Sequence, residues 1–580
     1  MNMSNPIPVL PTEVQWAELR GMTRASWLQL PRKKQDQVLK LQFVKRWHGV
    51  QIFFDAPYPE SLVAPEIKRF IESVVGTSDV VFFSSAALTA KRAAERLEAL
   101  IRDPAGFRAI ALGGDVAERD SDLLDYFITT KAFDKAHRGE ASVIIGPKGS
   151  GKTAILRALQ SRRGRQNTIV ITPEVFATSM LRQVVESSRG VWEEDQAFVS
   201  TWIFSILVEV FKRLSADPRG VPSNTLKKLR AFLRDNAKYE DLDLFTRFIG
   251  YLKRIEDVKV GAYELTVKTR LLQELYSLSP LYEIVPGLRG AGEGILILLD
   301  ELDQGWDNTT HANLFVASLL QAAIKIQSLG LKAQVIAFLR SEIFDLIKEK
   351  LDQLDKLRSG IEVIKWSHGE LADLVARRIA HSLRFQESRT GHEVEIASAL
   401  FDGTCRGMSG LEYLFSKTSL RPREVLQFVK HAHSIAVDSG AITITPEVLV
   451  KAEEDFSSWK FEHLCSEYAH IYPGLKDLIW TFRAEGPVLS EADGLAAIER
   501  YIEQIGDNRP TWAVMSEPDL LQLLYDVEFI GVPRPQNAKH GFGMAAQYEF
   551  AYERRAANIR AAAAFLIHPA FWSVLEVPVT

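Results

Sequence analysis

Two cysteines in 580 residues, Cys405 and Cys465, cannot build a disulfide framework. They read as ordinary thiols of a reducing compartment. Long apolar runs are missing too. The nearest to one, Ala561–Ile567, is stopped by His568 and Pro569, well short of the ~20 residues a membrane helix requires. The first residues lack the basic–apolar–small order of a signal peptide. The expectation is a cytoplasmic protein with no membrane partner. An excess of one charge is also absent: 70 Lys and Arg stand against 74 Asp and Glu, a net charge of −4. That balance exerts no global pull on nucleic acid or anionic lipid. There is no internal repeat and no low-complexity tract. What remains is a globular composition, 46% hydrophobic and 25% charged, in a chain long enough for about three or four domains.

The apolar pattern alternates between strand and helix lengths. Lys33–His48 reads as a helix, Val50–Phe54 as a strand, Glu66–Val75 as a helix, and Asp79–Ser84 as a buried strand. Thr89–Arg102 reads as a helix and Phe107–Leu112 as another strand closed by Gly113 and Gly114. Strands separated by helices predict a small parallel α/β module. A second unit begins with an amphipathic helix over Asp122–His137 and a strand over Ala141–Ile145. Then come a Gly-rich turn, the helix Lys152–Arg162 and a strand over Thr168–Thr172. A long, mainly helical stretch from about Glu174 to Tyr282 precedes the apolar strand Gly294–Leu299, the helix His311–Ser328 and the strand Ala333–Leu339. Ile361–Trp366 reads as a last strand. From Gly369 the pattern is helical. Arg421-Pro422-Arg423 opens the helix Glu424–Val437, and a late strand pair near Glu528–Val532 and Gln547–Tyr552 suggests a winged-helix-like ending.

Gly146-Pro147-Lys148-Gly149-Ser150-Gly151-Lys152-Thr153 fits G-x-x-x-x-G-K-[ST] in full. Glycines are needed there because backbone N–H groups must wrap phosphate oxygens with no Cβ in the way. The helix that follows aims its positive end at the same phosphates. Lys152 reaches the β- and γ-phosphates, and Thr153 offers a hydroxyl to Mg²⁺. A phosphate loop needs an acidic partner at the end of a buried strand. Here Ile295–Leu299 runs straight into Asp300-Glu301-Leu302-Asp303, and carboxylates ending an apolar run must meet solvent or a metal. Asp300 fits the Mg²⁺-holding role and Glu301 the residue that polarises the attacking water, with Asp303 competing for the second role.

Arg340 ends the strand after the acidic one. A strand-end Arg can sense a γ-phosphate bidentately, or it can simply pair with Glu342 or Asp345 at the surface. Arg421 and Arg423 begin a helix in the predicted lid. They can contact nucleotide across a cleft, or they can be a solvated helix start. Lys148 is either a phosphate contact or a loop lysine facing water. No Asn/Thr-Lys-x-Asp guanine-reading motif is present, so ATP is the expected nucleotide.

The run Asp122–Leu156, the run Leu298–Asp307 (LLDELDQGWD), the run Ala337–Ile347 and Arg421–Phe428 (RPREVLQF) resemble the bacterial P-loop ATPases of the Sll-type. More broadly, residues 115–555 look like the STAND and AAA-like regulatory ATPases, and LDELD also looks like the acidic motif of origin-recognition ATPases. The resemblance implies a nucleotide-binding core with a helical lid and winged helix acting as a switch. An arginine at position 340, where a polar residue is usual, leans toward the STAND-like side. The order of the N-terminal elements resembles a TIR-like domain, which would make Glu95 the catalytic acid of an NAD hydrolase. A generic flavodoxin-like module, with Glu95 and Glu98 pairing with Lys91, Arg92 and Arg102, accounts for the same residues.

These readings predict an α/β protein of four parts. An N-terminal module spans 1–115, and a P-loop core with a parallel sheet spans 116–367, its helical insertion lying at about 174–282. A helical lid covers 368–445 and a winged-helix-like domain 446–580. The expected activity is ATP binding with slow, Mg²⁺-dependent hydrolysis, controlling an effector in bacterial defence or stress signalling. The expected partner is an unidentified protein or trigger, and a homo-oligomer is compatible with this. The alternative is a DNA-associated ATPase of the origin-recognition type. Lys539, His540, Arg554 and Arg555 are the basic patch it would use, while the acidic character of Glu491–Glu517 argues against nucleic acid.

Overall fold

The computed structural model describes residues 41–46, 49–54, 80–172, 194–237, 247–248, 250, 278–292, 294–303, 306, 308–348, 360–385, 391–535, 541–555, 557, 559 and 562–578. The predicted helix Glu66–Val75 lies outside them. Contacts divide the chain into two compact units. One comprises Met1–Leu112, Val375–Asp402 and Gly440–Thr443; the other comprises Gly113–Leu374, Gly403–Ser439 and Ile444–Thr580.

In the first unit, strands β1 (Leu41–Arg46) and β2 (Gly49–Phe54) pair antiparallel, and β2 pairs parallel with β3 (Val80–Ser84). The sheet is therefore mixed, not parallel as the sequence pattern suggested. The helix expected over Lys33–His48 is replaced by strand at Leu41–Arg46, which pairs in register with Gly49–Phe54. The helix Ser85–Ile101 follows β3 directly and buries Ala93, Ala94, Leu97 and Ile101 on one face. The strand expected at Phe107–Leu112 is also overturned. Pro104–Ala109 is a short helix whose N-cap, Asp103, accepts from the N–H groups of Ala105 and Gly106, both at 3.0 Å. The Asp-Pro start outweighs the apolar run, because Pro fits a first helical turn and lacks the N–H a strand would use.

The second unit is built on a five-stranded sheet of β4 (Val143–Ile145), β5 (Thr168–Ile171), β6 (Ile295–Leu299), β7 (Ala333–Leu339) and β8 (Ile361–Val363). Its order is β5-β6-β7-β4-β8, and every pair is parallel. Both faces are covered, which explains the continuous apolar strands. Ile145, Ile297, Leu299, Val335, Ala337 and Leu339 face the cluster under the helices Glu194–Ala216 and Thr310–Ser328. The residues between them, Ile144, Leu296, Leu298, Ile336 and Phe338, face the helices Lys131–His137 and Lys152–Arg163. The amphipathic helix expected from Asp122 begins only at Lys131, where the Thr130 hydroxyl caps it.

Beyond the sheet the chain is mainly helical. A small ribbon, β9 (Thr404–Cys405) with β10 (Met408–Ser409), precedes the helices Gly410–Ser416, Pro422–Asp438 and Pro446–Glu467. The last two meet through stacked Phe428 and Phe456, whose ring centroids lie 4.6 Å apart. The C-terminal part packs the helices Glu491–Ile505 and Glu517–Asp526 with a sheet of β11 (Val488–Ser490), β12 (Ile530–Pro533), β13 (Tyr548–Glu549) and β14 (Ala564–Ile567), ordered β11-β14-β12-β13. β12 and β13 are the late strand pair of the sequence reading, and they pair antiparallel.

Trp202 anchors the helix Glu194–Ala216 to the helix Thr310–Ser328. It is 0% exposed, lies 4.8 Å from the Phe315 ring by centroid, and donates its indole N–H to Phe315 O at 3.2 Å. Trp202→Ala should destabilise this unit by about 3–5 kcal/mol, the usual cost of removing a large buried aromatic. Urea unfolding followed by circular dichroism reads the change, and a loss under ~1 kcal/mol would show that the site collapses onto the cavity.

Candidate nucleotide site

The ends of β4, β6, β7 and β8 lie along one edge of the sheet, where open α/β sheets place their ligands. Gly146 N–H donates to Leu339 O at 3.1 Å, Asp300 N–H to Ile171 O at 3.1 Å and Ile364 N–H to Ile145 O at 2.8 Å. These bonds fix the phosphate loop, the acidic motif and Arg340 relative to one another. Gly149 (φ +82°) and Gly151 (φ +99°) hold left-handed conformations that side chains rarely adopt. A Cβ on Gly149 would also sit 2.9 Å from Arg423 Cβ.

Within the loop, Lys152 Nζ donates to Gly146 O at 2.8 Å and Pro147 O at 3.0 Å. Burial pushes its ammonium down to about 8, opposed by Glu342 and by Asp303 and Asp300 and assisted by Arg340. Thr153 Oγ1 donates to Asp300 Oδ2 at 3.2 Å. Asp300 is buried, and that desolvation raises its pKa against the pull of its backbone hydrogen bond, Lys152 and Thr153. Ser150 is 2% exposed, and its hydroxyl has no hydrogen-bond partner. A buried, unpaired hydroxyl within a phosphate loop fits a phosphate oxygen. The converging hydroxyl and carboxylate of Thr153 and Asp300 fit Mg²⁺, which takes one or two protein ligands and completes its shell with phosphate and water.

Glu301 follows with φ +56°, a strained conformation for a residue with a side chain. Such strain costs about 1–3 kcal/mol and concentrates at functional positions. Asp303 forms an ion pair with Arg340 Nη2. Arg340 Nη1 lies 3.8 Å from Glu342 Oε1, so the arginine stands between the two acids at the end of β7. Sequence reading missed one neighbour and expected another only as a surface partner of Arg340. Trp366, just past β8, donates its indole N–H to Ser150 O at 2.9 Å and braces the loop from behind. Glu342 is 8% exposed and its Oε1 makes no hydrogen bond. Trp366 carries no local sequence signal, and Glu342 is buried where a surface partner was expected.

Arg421 and Arg423 part company. Arg421 is 3% exposed, with its guanidinium on Glu467 Oε2 at 3.0 Å, Glu528 Oε2 at 2.6 Å and Glu424 Oε1 at 3.5 Å. It is neither a solvated helix start nor exposed to a cleft. Arg423 lies against the phosphate loop: its backbone N–H meets Gly149 O at 3.4 Å, and its Nε is buried without a hydrogen-bond partner. Lys148 is also near this group. Burial lowers its pKa, with Arg340 and Arg423 adding to the effect and Glu467 opposing it.

Comparison with known proteins agrees with the α/β P-loop core. Residues 117–167 match the family model described as ORC-CDC6-like, and residues 369–465 match that of the FunZ-associated C-terminal helical domain. The chain is 24% identical over 486 residues to the putative transposon gamma-delta 80.3 kDa protein of Escherichia coli (strain K12), covering 80% of this chain and 67% of that one. It is 25% identical over 172 residues to Allergen Alt a 2 of Alternaria alternata, covering 30% of this chain and 89% of that one. Among solved structures, the Aeropyrum pernix ORC2 protein is similar at 11% identity and a TM-score of 0.35, covering 79% of this chain and 97% of that one. Drosophila ORC bound to DNA is similar at 13% identity and a TM-score of 0.28, covering 78% and 89%. The fold is an α/β core with a parallel five-stranded sheet and a phosphate-loop motif, followed by a mainly helical C-terminal region.

Burial, and next the charge of Glu467, raise the Glu342 carboxyl to about 7 against the pull of Arg340 and Lys152. A folded pKa above the unfolded one means that folding takes up a proton. The stability it contributes is complete below about 4.5 and is lost as the pH rises through about 7. Glu342→Gln, neutral at every pH, should therefore exceed the parent in stability at pH 8 by about 1–3 kcal/mol, with the gap closing toward pH 5. Urea melts at both pH values read the difference, and an equal offset at pH 5 and 8 would show that Glu342 does not titrate in this range.

Proposed function

We propose that this chain is an ATP-binding, Mg²⁺-dependent regulatory ATPase with slow turnover, in which the nucleotide state of the sheet edge is passed to the C-terminal helices. The observation that carries the reading is the convergence, at one sheet edge, of a complete phosphate loop with an unpartnered buried Ser150 hydroxyl and the Thr153–Asp300 pair. Gly146, Gly149, Ser150, Gly151 and Lys152 bind the phosphates, with Lys152 leaving its loop carbonyls for the β- and γ-phosphates. Thr153 and Asp300 hold Mg²⁺, which when bound neutralises charge developing on the phosphate oxygens.

Because Asp303 is already paired with Arg340, we assign the water-orienting role to Glu301, which accepts a proton as water attacks the γ-phosphorus and the bond to the β-phosphate oxygen breaks. Arg340, on the strand between loop and acids, is assigned to the γ-phosphate, and Arg423 to the phosphates from the lid side. Arg421 is assigned a structural role by its three carboxylate partners. Control of an effector in bacterial defence, an unidentified protein trigger, self-assembly and the four-part domain division rest on the resemblance and sequence pattern alone.

A DNA-associated ATPase of the origin-recognition type is the second reading, favoured by the ORC-CDC6-like match and the strand-and-helix C-terminal end. Charge weakens it. Arg555 pairs with Asp345, Arg554 with Glu549 at 3.0 Å, and the helices Glu491–Ile505 and Glu517–Asp526 carry acids in their first turns. Lys539 and His540 lie outside the described residues. The TIR-like reading of the N-terminal unit has Glu95 on an exposed face of the helix Ser85–Ile101, as a solvated helix would.

Lys152→Ala should weaken MgATP binding by tens- to thousands-fold, the effect of losing about 2–5 kcal/mol of charge-assisted contact. Glu301→Gln should keep MgATP bound while turnover collapses. Isothermal calorimetry and phosphate release test both, and unchanged affinity in the lysine variant would sink the reading. If Asp303→Asn stops turnover while Glu301→Gln does not, the water-orienting role belongs to Asp303.

Arg340→Ala should leave ADP affinity near its original value and weaken ATP binding, because a γ-phosphate contact is absent from ADP. Equal losses for the two nucleotides would make Arg340 a structural partner of Asp303 and Glu342. In the same assays, added duplex DNA that raises turnover, with binding falling steeply between two salt concentrations, would favour the origin-recognition reading.

A further inference from the structure

The phosphate loop already binds an anion, and that anion belongs to the protein. Lys148 N–H donates to Glu467 Oε1 at 3.1 Å. Glu467 is the last residue of the helix Pro446–Glu467. Its other oxygen takes the Arg421 guanidinium at 3.0 Å, and His463 Nδ1 lies 3.9 Å from that oxygen. The Glu467 side chain is 1% exposed. Burial alone would raise its pKa, but Arg421, His463, the Lys148 N–H and Lys460 together bring it down to about 2. It is therefore a carboxylate at any working pH. Phosphate-loop N–H groups are anion donors by construction, and a buried carboxylate on one of them offers the charge and acceptor geometry of a phosphate oxygen.

The grip is wider than one bond. The Arg423 backbone N–H meets Gly149 O, and Arg423 Cβ packs where a side chain on Gly149 would lie. Arg421 joins Glu467 to Glu528 on the chain just before β12. Glu528 itself has φ +67°, so the backbone there is strained. One continuous chain of charged contacts thus runs from the loop through Glu467 and Arg421 to the C-terminal sheet.

We propose that Glu467 is an internal competitor for the phosphate loop: a nucleotide's phosphates displace it from Lys148 N–H, freeing the end of the helix Pro446–Glu467 and altering its Arg421–Glu528 tether. This deepens the ATP reading and rests on it. Linkage makes the effect reciprocal, so whatever holds Glu467 on the loop lowers nucleotide affinity by the same factor.

The test compares the full-length parent with Glu467→Gln, using MgATP, MgADP and inorganic tripolyphosphate as ligands in isothermal calorimetry. Tripolyphosphate isolates the loop from any contact to the base. Glu467→Gln keeps shape and removes charge, and should bind all three about ten- to a hundredfold more tightly, the scale of one charge-assisted hydrogen bond. Glu467→Asp keeps the charge for Arg421 but shortens the reach to the loop. It should tighten binding in the same direction, and it serves as the test if the glutamine variant fails to fold. Lys152→Ala in each background should remove the gain.

A structural role would instead lower the melting temperature and leave all three affinities unchanged or weaker. That result, in a parent that binds MgATP through Lys152, overturns the competitor and leaves the ATPase reading standing. A parent that binds none of the three ligands overturns both.

Discussion

The site depends on one constraint, the position of β7 between β4 and β6. Parallel pairing on both sides of β7 places the phosphate loop, Arg340 and the acidic motif in a row, because the strands end nearly level: Ile145 is opposite Leu339, and Leu299 opposite Ala337. Asp303 and Arg340 then meet across adjacent strand ends, and Asp300 reaches Thr153 across the width of β7. None of these contacts is local. Each depends on the apolar alternation that sends Ile144 and Phe338 to one face and Ile145 and Leu339 to the other. A slip of one residue in β7 would exchange those faces and carry Arg340 away from the loop.

How far the sequence could be read follows from the range of the forces involved. The phosphate loop, the acidic strand end and Arg340 are legible because each is a short run whose chemistry needs its own residues. The parallel sheet of the second unit is legible because strands buried on both faces are apolar throughout. Phe107–Leu112 reads as a strand because a short apolar run fits a strand or a short helix equally, and the deciding signal is the Asp103-Pro104 cap just before it. The N-terminal sheet was expected to be parallel because alternating strands and helices usually are; the ribbon of β1 and β2 has no helix between its strands. Trp366 and Glu467 have no local signature. Their roles exist only because distant segments meet, Lys148 and Glu467 across 319 positions. The fate of Arg421 was hidden for the same reason: Glu424 is local, but Glu467 and Glu528 come from distant parts of the chain.

The C-terminal helices hold an unusual density of buried charge. Lys460 bonds Glu424 at 2.5 Å, Lys417 bonds Glu453 at 2.6 Å, and Tyr413 also donates to Glu453. Each ion removed from water is costly, so pairs like these seldom add much net stability over an apolar core, but breaking one is expensive. Their effect is to fix register. The helices Pro422–Asp438 and Pro446–Glu467 can pack in one alignment that satisfies Glu424 with Lys460 and Glu467 with Arg421 at once. Helices held in one alignment can transmit a small displacement at their ends, whereas a purely apolar interface would absorb it by sliding.

The charge count around Arg421 connects this network to the nucleotide. Two cations, Arg421 and Lys460, face three buried carboxylates, Glu424, Glu467 and Glu528. The carboxylate nearest the phosphate loop is Glu467, whose pKa is lowered by Arg421 first and then by His463, the Lys148 N–H and Lys460. Its charge is felt by Glu342, whose pKa it helps to raise. A polyphosphate brought into this loop adds several negative charges beside that carboxylate. Repulsion in a site that excludes water is strong, because little solvent is present to screen it. On the proposed reading, a phosphate and Glu467 compete for the Lys148 N–H, and the packing at the end of the helix Pro446–Glu467 responds to what the phosphate loop holds.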